Sequence, residues 1–328
     1  MKPKILITRQ LPHEAIELAQ SRADAELPEG NQPLPRADLL KRLRDKAGLV
    51  CLLTDGIDEE LLRAAPGLRV VSNVAVGVNN IDVAACSRRG VMVTNTPGIL
   101  TETTADFTWA LLLAAARRVV EGDQYVRAGK FTEWRLMLLL GDDVHGKVLG
   151  ILGFGRIGQA VARRAIGFGM RLLYHSRHRV DETIERDLRA TYVDKATLLR
   201  ESDFLTIHTP FVSETRHLIG VPELRAMKPT AFLINAARGP IVHEEALVQA
   251  LQEGWISGAG LDVYEEEPKV HPGLLEAPNA VLAPHIGSAS RETRTRMALM
   301  AVENCLAVLE GKTPPNPVNP EVLKNREA

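Results

Sequence analysis

At 328 residues the chain is longer than one hydrophobic core usually supports, so two domains are expected. Hydrophobic residues at 45%, charged residues at 25% and a formal net charge of −1 describe an ordinary globular protein and exclude a nucleic-acid binder working through a broad basic surface. Three scattered cysteines, Cys51, Cys86 and Cys305, offer no disulfide framework or metal clip, and no histidine cluster has zinc-ligand spacing. The start, MKPKILITRQ, lacks a signal-peptide core and no apolar run could span a membrane, so a reducing cytoplasm and no membrane partner are expected.

Read from the N-terminus, short β-branched or apolar runs alternate with segments of helical period. KILIT (4–8), GLVCLLT (48–54), LRVVSNVA (68–75) and VMVTN (91–95) predict strands, with helices over 36–46 and 58–65. TETTADFTWALLLAAARR (101–118) predicts a long helix. The apolar run inside FTEWRLMLLLGDD (131–143) is either an association surface or a turn within the core. Further strands are predicted at 147–153, 171–176, 203–209, 231–237, 258–263 and 280–285, with helices at 156–168, 222–227 and 243–253. A last long helix, 288–310, is stopped by Gly311, and TPPNPVNP reads as an irregular surface tail.

Near-continuous apolar strands separated by helices mean parallel sheets covered on both faces. The expected fold class is α/β, with two Rossmann-like, doubly wound parallel-sheet domains and a cleft between them. The first lobe covers 1–98 and the second 99–286, with 287–328 returning to the first and the two long helices as connections.

KVLGILGFGRIGQAVARRA places Gly153, Gly155 and Gly158 in a G-x-G-x-x-G that follows a strand and opens an amphipathic helix. The first glycine permits a tight turn, the second lets backbone approach a pyrophosphate, and the third lets helix and strand pack closely. Orphan N–H groups and the dipole of the helix N-terminus favour the phosphates. About 20 residues further on, the next strand should carry the residue that reads the adenosine ribose. An NAD site would have Asp or Glu there; this chain has LLYHSRHR, with Ser176 and Arg177. A serine hydroxyl and a guanidinium fork suit a 2′-phosphate that a carboxylate would repel, so NADP(H) is expected over NAD(H), with Arg179 as a helper.

Other strand ends carry Thr209 and Pro210, Arg238, Glu267 and His285. Reducing a 2-oxo acid needs a cation to hold the carboxylate, a proton donor for the forming alkoxide, and a carboxylate to orient that donor. Arg238, His285 and Glu267 fit these roles in that order. Each alone is equally an ordinary turn residue; together, after a dinucleotide loop, they form a coherent set.

At this point the sequence resembles the D-isomer-specific 2-hydroxyacid dehydrogenase family along nearly its whole length. The resemblance is carried by VLGILGFGRIGQAVARRA, INAARGPIVHEEALVQAL, GAGLDVYEEEP, PHIGSASRETR and, upstream, NTPGILTETTAD. It implies Arg238, Glu267 and His285 as the catalytic set, Glu267 being the glutamate that directly precedes a proline. It also implies a discontinuous substrate-binding domain and a homodimer, with 136–140 packing on the partner subunit. The implied cofactor site comprises Thr104 beside the nicotinamide, Gly153, Gly155, Arg156, Ile157, Gly158, Ser176, Arg177, Arg179, Thr209, Pro210, Ala236, Arg238, Asp262, His285 and Gly287. The implied acid site comprises Leu53, which as a sequence feature could equally be a core leucine, the backbone donors of Val76 and Gly77, and Arg238, His285 and Ser288. The chain is most similar to the family's glyoxylate/hydroxypyruvate and 2-ketogluconate reductase branch, which implies reduction of small 2-oxo acids to 2-hydroxy acids. A 2-ketogluconate reductase and a non-catalytic cofactor sensor are the alternatives; phosphite oxidation is disfavoured because a lysine of the phosphite enzymes is replaced here by Val76.

Overall fold

The computed structural model describes residues 2–324. It divides the chain into two units, one built from residues up to Leu100 and from Ala289 onward, the other Thr101–Ser288. The breaks expected at 98/99 and 286/287 lie two residues earlier.

In the first unit five parallel strands are ordered β2-β1-β3-β4-β5. They are β1 (Lys4–Ile7), β2 (Asp24–Glu26), β3 (Gly48–Cys51), β4 (Val70–Asn73) and β5 (Met92–Thr94). Alternate side chains go to opposite faces, as the two-residue period of a strand requires. Ile5, Ile7, Val50, Val70 and Met92 pack with helices His13–Arg22 and Arg291–Leu309. Leu6, Leu49, Cys51, Val71 and Val93 pack with helices Arg36–Leu43, Glu59–Ala64 and Val83–Arg88.

The second unit holds seven parallel strands ordered β12-β11-β10-β9-β6-β7-β8. They are β6 (Val148–Leu152), β7 (Arg171–His175), β8 (Ala190–Tyr192), β9 (Phe204–Ile207), β10 (Phe232–Asn235), β11 (Gly258–Leu261) and β12 (Ala280–Leu282). Phe204, Phe232 and Ile234 meet helices Thr101–Ala116 and Arg156–Ala165 on one face, while Leu205, Leu233 and Leu261 meet helix Glu244–Gln252 on the other. Strand order reverses between β6 and β9, and at such a reversal the loops at the carboxyl ends part to make a crevice.

Three expectations are corrected. Strands β2 and β8 were not anticipated: each is a three-residue edge strand without an apolar run. The two long helices are not connections, since each lies wholly within one unit. The segment TPPNPVNP is no irregular tail: Val318 N–H donates to Val93 O (2.8 Å), and the buried Asn319 takes the Val93 N–H on Oδ1 (2.7 Å). It closes the open edge of β5, where unpaired backbone would otherwise be exposed.

Candidate active site

The glycine loop leaves β6 and turns into helix Arg156–Ala165. Gly153 has φ +95°, a left-handed conformation that a side chain disfavours, and a Cβ there would also strike the backbone of His208 and Thr209, 2.5 Å away. A Cβ on Gly158 would collide with the Gly153 carbonyl. Gly155 differs: a Cβ there would meet nothing within 4 Å. Packing therefore does not explain the second glycine, whereas a ligand approaching the backbone does. The first helical bond runs from Gln159 N–H to Gly155 O (2.9 Å); among the described residues the N–H groups of Phe154, Gly155, Arg156 and Ile157 have no acceptor. An open, donor-rich helix start of this kind fits the pyrophosphate of a dinucleotide. Thr209 and Pro210 leave β9 beside it, on the other side of the strand reversal.

At the end of β7, Ser176 Oγ donates to His178 O (2.6 Å). Arg177 is exposed and makes no hydrogen bond or ion pair among the described residues. Arg179 is placed differently from its expected role. Its fork is committed to Glu185, at 2.8 and 2.7 Å, and Glu185 also accepts from the Tyr174 hydroxyl (2.6 Å). The bonds to Arg179 and then Tyr174 hold the Glu185 carboxyl down to about 2, while burial and then the bond to Glu185 push the Tyr174 phenol up to about 12. Arg179 thus braces the loop, while Ser176 is tied to His178 O and Arg177 has no hydrogen bond or ion pair among the described residues.

Around the ends of β10, β11 and β12 the catalytic candidates converge. His285 Nδ1 lies 2.6 Å from Glu267 Oε2, and Glu267 Oε1 accepts the Tyr264 N–H at 3.0 Å. Of the three consecutive glutamates only Glu267 meets the histidine; Glu266 pairs with Lys269, and Glu265 with His217 and Arg216. Burial pushes the Glu267 carboxyl up, yet the bond to His285, the imidazole's charge, the Tyr264 amide and the charge of Arg238 together leave it below its ordinary value. An ionised Glu267 fixes Nδ1–H as the bonded side of the ring and leaves Nε2 outside that bond.

Arg238, half-buried, donates Nη1–H to Ala237 O (2.7 Å), and its other donors have no partner among the described residues. Burial pulls its guanidinium below the usual value while Glu267 opposes the shift. Desolvated and charged, it is primed to take a carboxylate through two parallel bonds. Gly239 allows this placement, because a Cβ there would collide with the Tyr264 carbonyl and separate the Arg238 loop from the Glu267 loop.

Tyr264 and Asn235 escaped sequence reasoning, and Asp262 has a bracing role that it did not assign. His285 has φ +55°, a conformation costing a non-glycine residue about 1–2 kcal/mol. Asp262 holds it there: its carbonyl accepts the His285 N–H (2.9 Å), and its carboxylate accepts from Ile286 and Gly287 at 2.7 Å each. Asp262, expected at the cofactor, is therefore first a brace for the histidine turn. Tyr264 ties Glu267 through its amide and Ala283 through its hydroxyl (2.9 Å). Asn235 shapes the turn that carries Ala236, donating to Arg238 O and accepting from Ala237 N–H, both at 3.0 Å. A buried Asn or Tyr at a strand end was the available signal. Thr104 is buried, its methyl about a contact distance from a Cβ built on Gly287, and Ser288 ends the unit half-buried.

In the five-stranded unit Leu53 and Val76 are exposed, 38% and 37%, at the carboxyl ends of β3 and β4. Leu53 is therefore not an ordinary core leucine. The N–H groups of Val76 and Gly77 have no acceptor among the described residues. The run at 131–140 is likewise no core turn: Phe131, Trp134, Leu136, Met137 and Leu140 are all more than half exposed. Among the described residues no group of His, Cys, Asp and Glu could hold a metal, and no helix is long and apolar enough to cross a membrane.

Comparison with known proteins agrees with this geometry. Residues 109–287 match the model of the D-isomer specific 2-hydroxyacid dehydrogenase, NAD binding domain. The glyoxylate reductase of Aeropyrum pernix is 54% identical over 332 residues, covering 99% of this chain and 98% of its own. That of Korarchaeum cryptofilum is 52% identical, again covering 99% and 98%. The NADPH-dependent glyoxylate/hydroxypyruvate reductase of Sinorhizobium meliloti, solved with NADP and malonate, superposes with a TM-score of 0.85 at 34% identity, covering 97% of each chain. With a glycine loop, a braced histidine–glutamate pair and relatives of this identity over its full length, the chain belongs to the D-isomer-specific 2-hydroxyacid dehydrogenase family.

Proposed function

We propose that the protein reduces small 2-oxo acids, glyoxylate and hydroxypyruvate first, to the corresponding 2-hydroxy acids with NADPH. The observation that carries this reading is the Glu267–His285 bond beside the half-buried, partly unpartnered Arg238. Bound at the glycine loop, the reduced nicotinamide cofactor supplies the hydride. Arg238 holds the acid's carboxylate and orients its carbonyl. His285 gives the Nε2 proton to the oxygen that becomes the hydroxyl, and Glu267 stabilises the imidazolium before that transfer. In this reading the seven-stranded unit binds the cofactor, and Leu53 and the Val76 and Gly77 amides are assigned to the acid.

NADPH is assigned because no carboxylate stands directly at the end of β7, where Ser176 and Arg177 do, Arg177 having no hydrogen bond or ion pair among the described residues. The S. meliloti relative, NADPH-dependent by description, supports this. A homodimer is supported by the exposed run around Trp134 (76%) and Met137 (73%), on a segment that follows helix Val119–Arg127, which buries none of its residues. A reducing cytoplasm suits three free, buried cysteines.

The test is loss of reduced-cofactor absorbance with NADPH or NADH and a panel of glyoxylate, hydroxypyruvate, 2-ketogluconate and pyruvate. Turnover of glyoxylate or hydroxypyruvate with NADPH is expected. No turnover of any acid would sink the enzymatic reading, and a clear NADH preference would sink the cofactor assignment. Arg177→Ala should raise KM for NADPH about tenfold and barely move that for NADH.

A further inference from the structure

We propose that Asn80 is a positioning residue that locks the loop after β3 to the loop after β4, fixing Leu53 relative to the Val76 and Gly77 amides for a small 2-oxo acid. The proposal rests on the reading above that these groups meet the acid.

Every polar position of the Asn80 carboxamide is used. Nδ2 donates to Leu52 O (3.1 Å) and Asp55 O (3.0 Å), the carbonyls on either side of Leu53 and Thr54. Oδ1 accepts from Asn73 Nδ2 (3.1 Å), which also donates to Gly77 O (2.9 Å). The main chain adds a second tie, from Ile57 N–H to Asn80 O (2.8 Å) and from Asp82 N–H to Ile57 O (2.7 Å). Two donors and an acceptor on one short planar group are needed here, and only an amide side chain supplies them. Aspartate would set an oxygen against two carbonyls, and an apolar residue would leave Asp55 O without a donor and take one bond each from Leu52 O and Asn73 Nδ2.

The peptide planes of the second loop are anchored one after another. Ala75 O accepts from Thr96 N–H (2.9 Å), Val76 O from Asn95 Nδ2 (2.7 Å), and Gly77 O from Asn73. In a planar trans peptide the N–H points opposite to the C=O. Anchoring the Ala75 and Val76 carbonyls therefore directs the Val76 and Gly77 N–H groups away from those anchors, with no acceptor among the described residues. Asn80 is the link that transmits this alignment to the Leu53 loop. Leu53 sets how much room lies beside the amides, so the spacing between the loops decides which acid fits.

Two measurements on Asn80→Ala and Asn80→Asp test this. Amide hydrogen exchange should quicken in both 52–56 and 74–79, and KM for glyoxylate should rise about tenfold or more while kcat stays within about threefold. The Kd for NADPH should be unchanged, since the residues assigned to the cofactor belong to the other unit. Unchanged exchange over 52–56 would overturn the coupling, and faster exchange with an unchanged glyoxylate KM would overturn its role in substrate placement. An equal weakening of NADPH binding would overturn the proposal too, since the damage would then be general. Should the alanine protein not fold, Asn80→Ser, which keeps one donor, is judged by the same outcomes. Wild-type protein inactive on every 2-oxo acid would overturn the functional reading and with it the role in substrate placement, and exchange alone would then decide the loop coupling.

Discussion

In the seven-stranded unit the strand order reverses between β6 and β9, and the loops there are Gly153–Gly155 and His208–Pro210; in the five-stranded unit it reverses between β1 and β3, and the loops are Thr8–Arg9 and Leu52–Asp55. The first place is held open. Gly155 faces empty space and four N–H groups lack acceptors among the described residues. The second is filled by the protein itself. Arg9 and Asp55, each 5% exposed, form an ion pair at 3.3 Å, and Thr8 Oγ and the Leu52 N–H also bond to Asp55. A phosphate entering there would meet a buried carboxylate already satisfied by protein donors. Two sheets of similar design thus differ in what their first strand–helix turn carries, and that turn decides which can take a dinucleotide.

The sharpest way to break this comparison is at the reacting centre. His285→Ala should lower kcat about 10²–10⁴-fold with the Kd for NADPH kept; an active variant would mean the proton comes from elsewhere. Arg238→Ala should raise the KM for the acid as well. Next is the plug of the other unit. Asp55→Ala leaves a buried arginine unpaired and should cost about 3–5 kcal/mol in denaturant unfolding, and a cost near zero would show that the pair is not desolvated in solution.

The glycine loop gives a smaller, paired contrast. Gly155→Ala should weaken NADPH about tenfold with the melting temperature unchanged, whereas Gly158→Ala should lower the melting temperature through its clash with the Gly153 carbonyl. Equal effects of the two on stability would refute the separation of ligand approach from packing.

The smallest effect concerns the brace under the β7 loop. The Glu185 carboxyl, held at about 2 by Arg179 and Tyr174, contributes stability that is present above the ordinary carboxylate range and lost as pH falls toward about 2. Glu185→Gln should therefore be less stable than wild type at neutral pH, with the difference shrinking below about pH 4.5. A gap between urea midpoints that stays constant down to pH 3 would show that Glu185 titrates normally.

Much of the fold was legible because β-branched runs buried on both faces leave a plain pattern, as in the strands holding Ile5, Leu205 and Ile234. The short edge strands β2 and β8 carry no such pattern, since half of an edge faces solvent. Helices Val83–Arg88, Glu182–Leu188 and Lys195–Glu201 were missed although Asp82, Asp181 and Asp194 cap them by accepting N–H bonds, a signal present in the sequence. At the site, Arg238 and His285 could be proposed from residue type and strand-end position, and Glu267 was singled out from its two neighbours by the family resemblance. The brace roles of Asp262, Tyr264 and Asn235 could not, because their partners are fixed only once separate strands pair.

By itself, then, the sequence determined the parallel α/β class, the dinucleotide loop and the absence of an acidic reader after β7, all of which depend on residues within one strand–turn–helix. Tertiary structure decided that Arg179 braces its loop, that Asp262 holds the His285 turn, and that Arg9 and Asp55 close one sheet's crevice while the other stays open. Those outcomes depend on how side chains are placed once the chain has folded, since hydrogen bonds and ion pairs form only where folding brings their partners within about 3 Å.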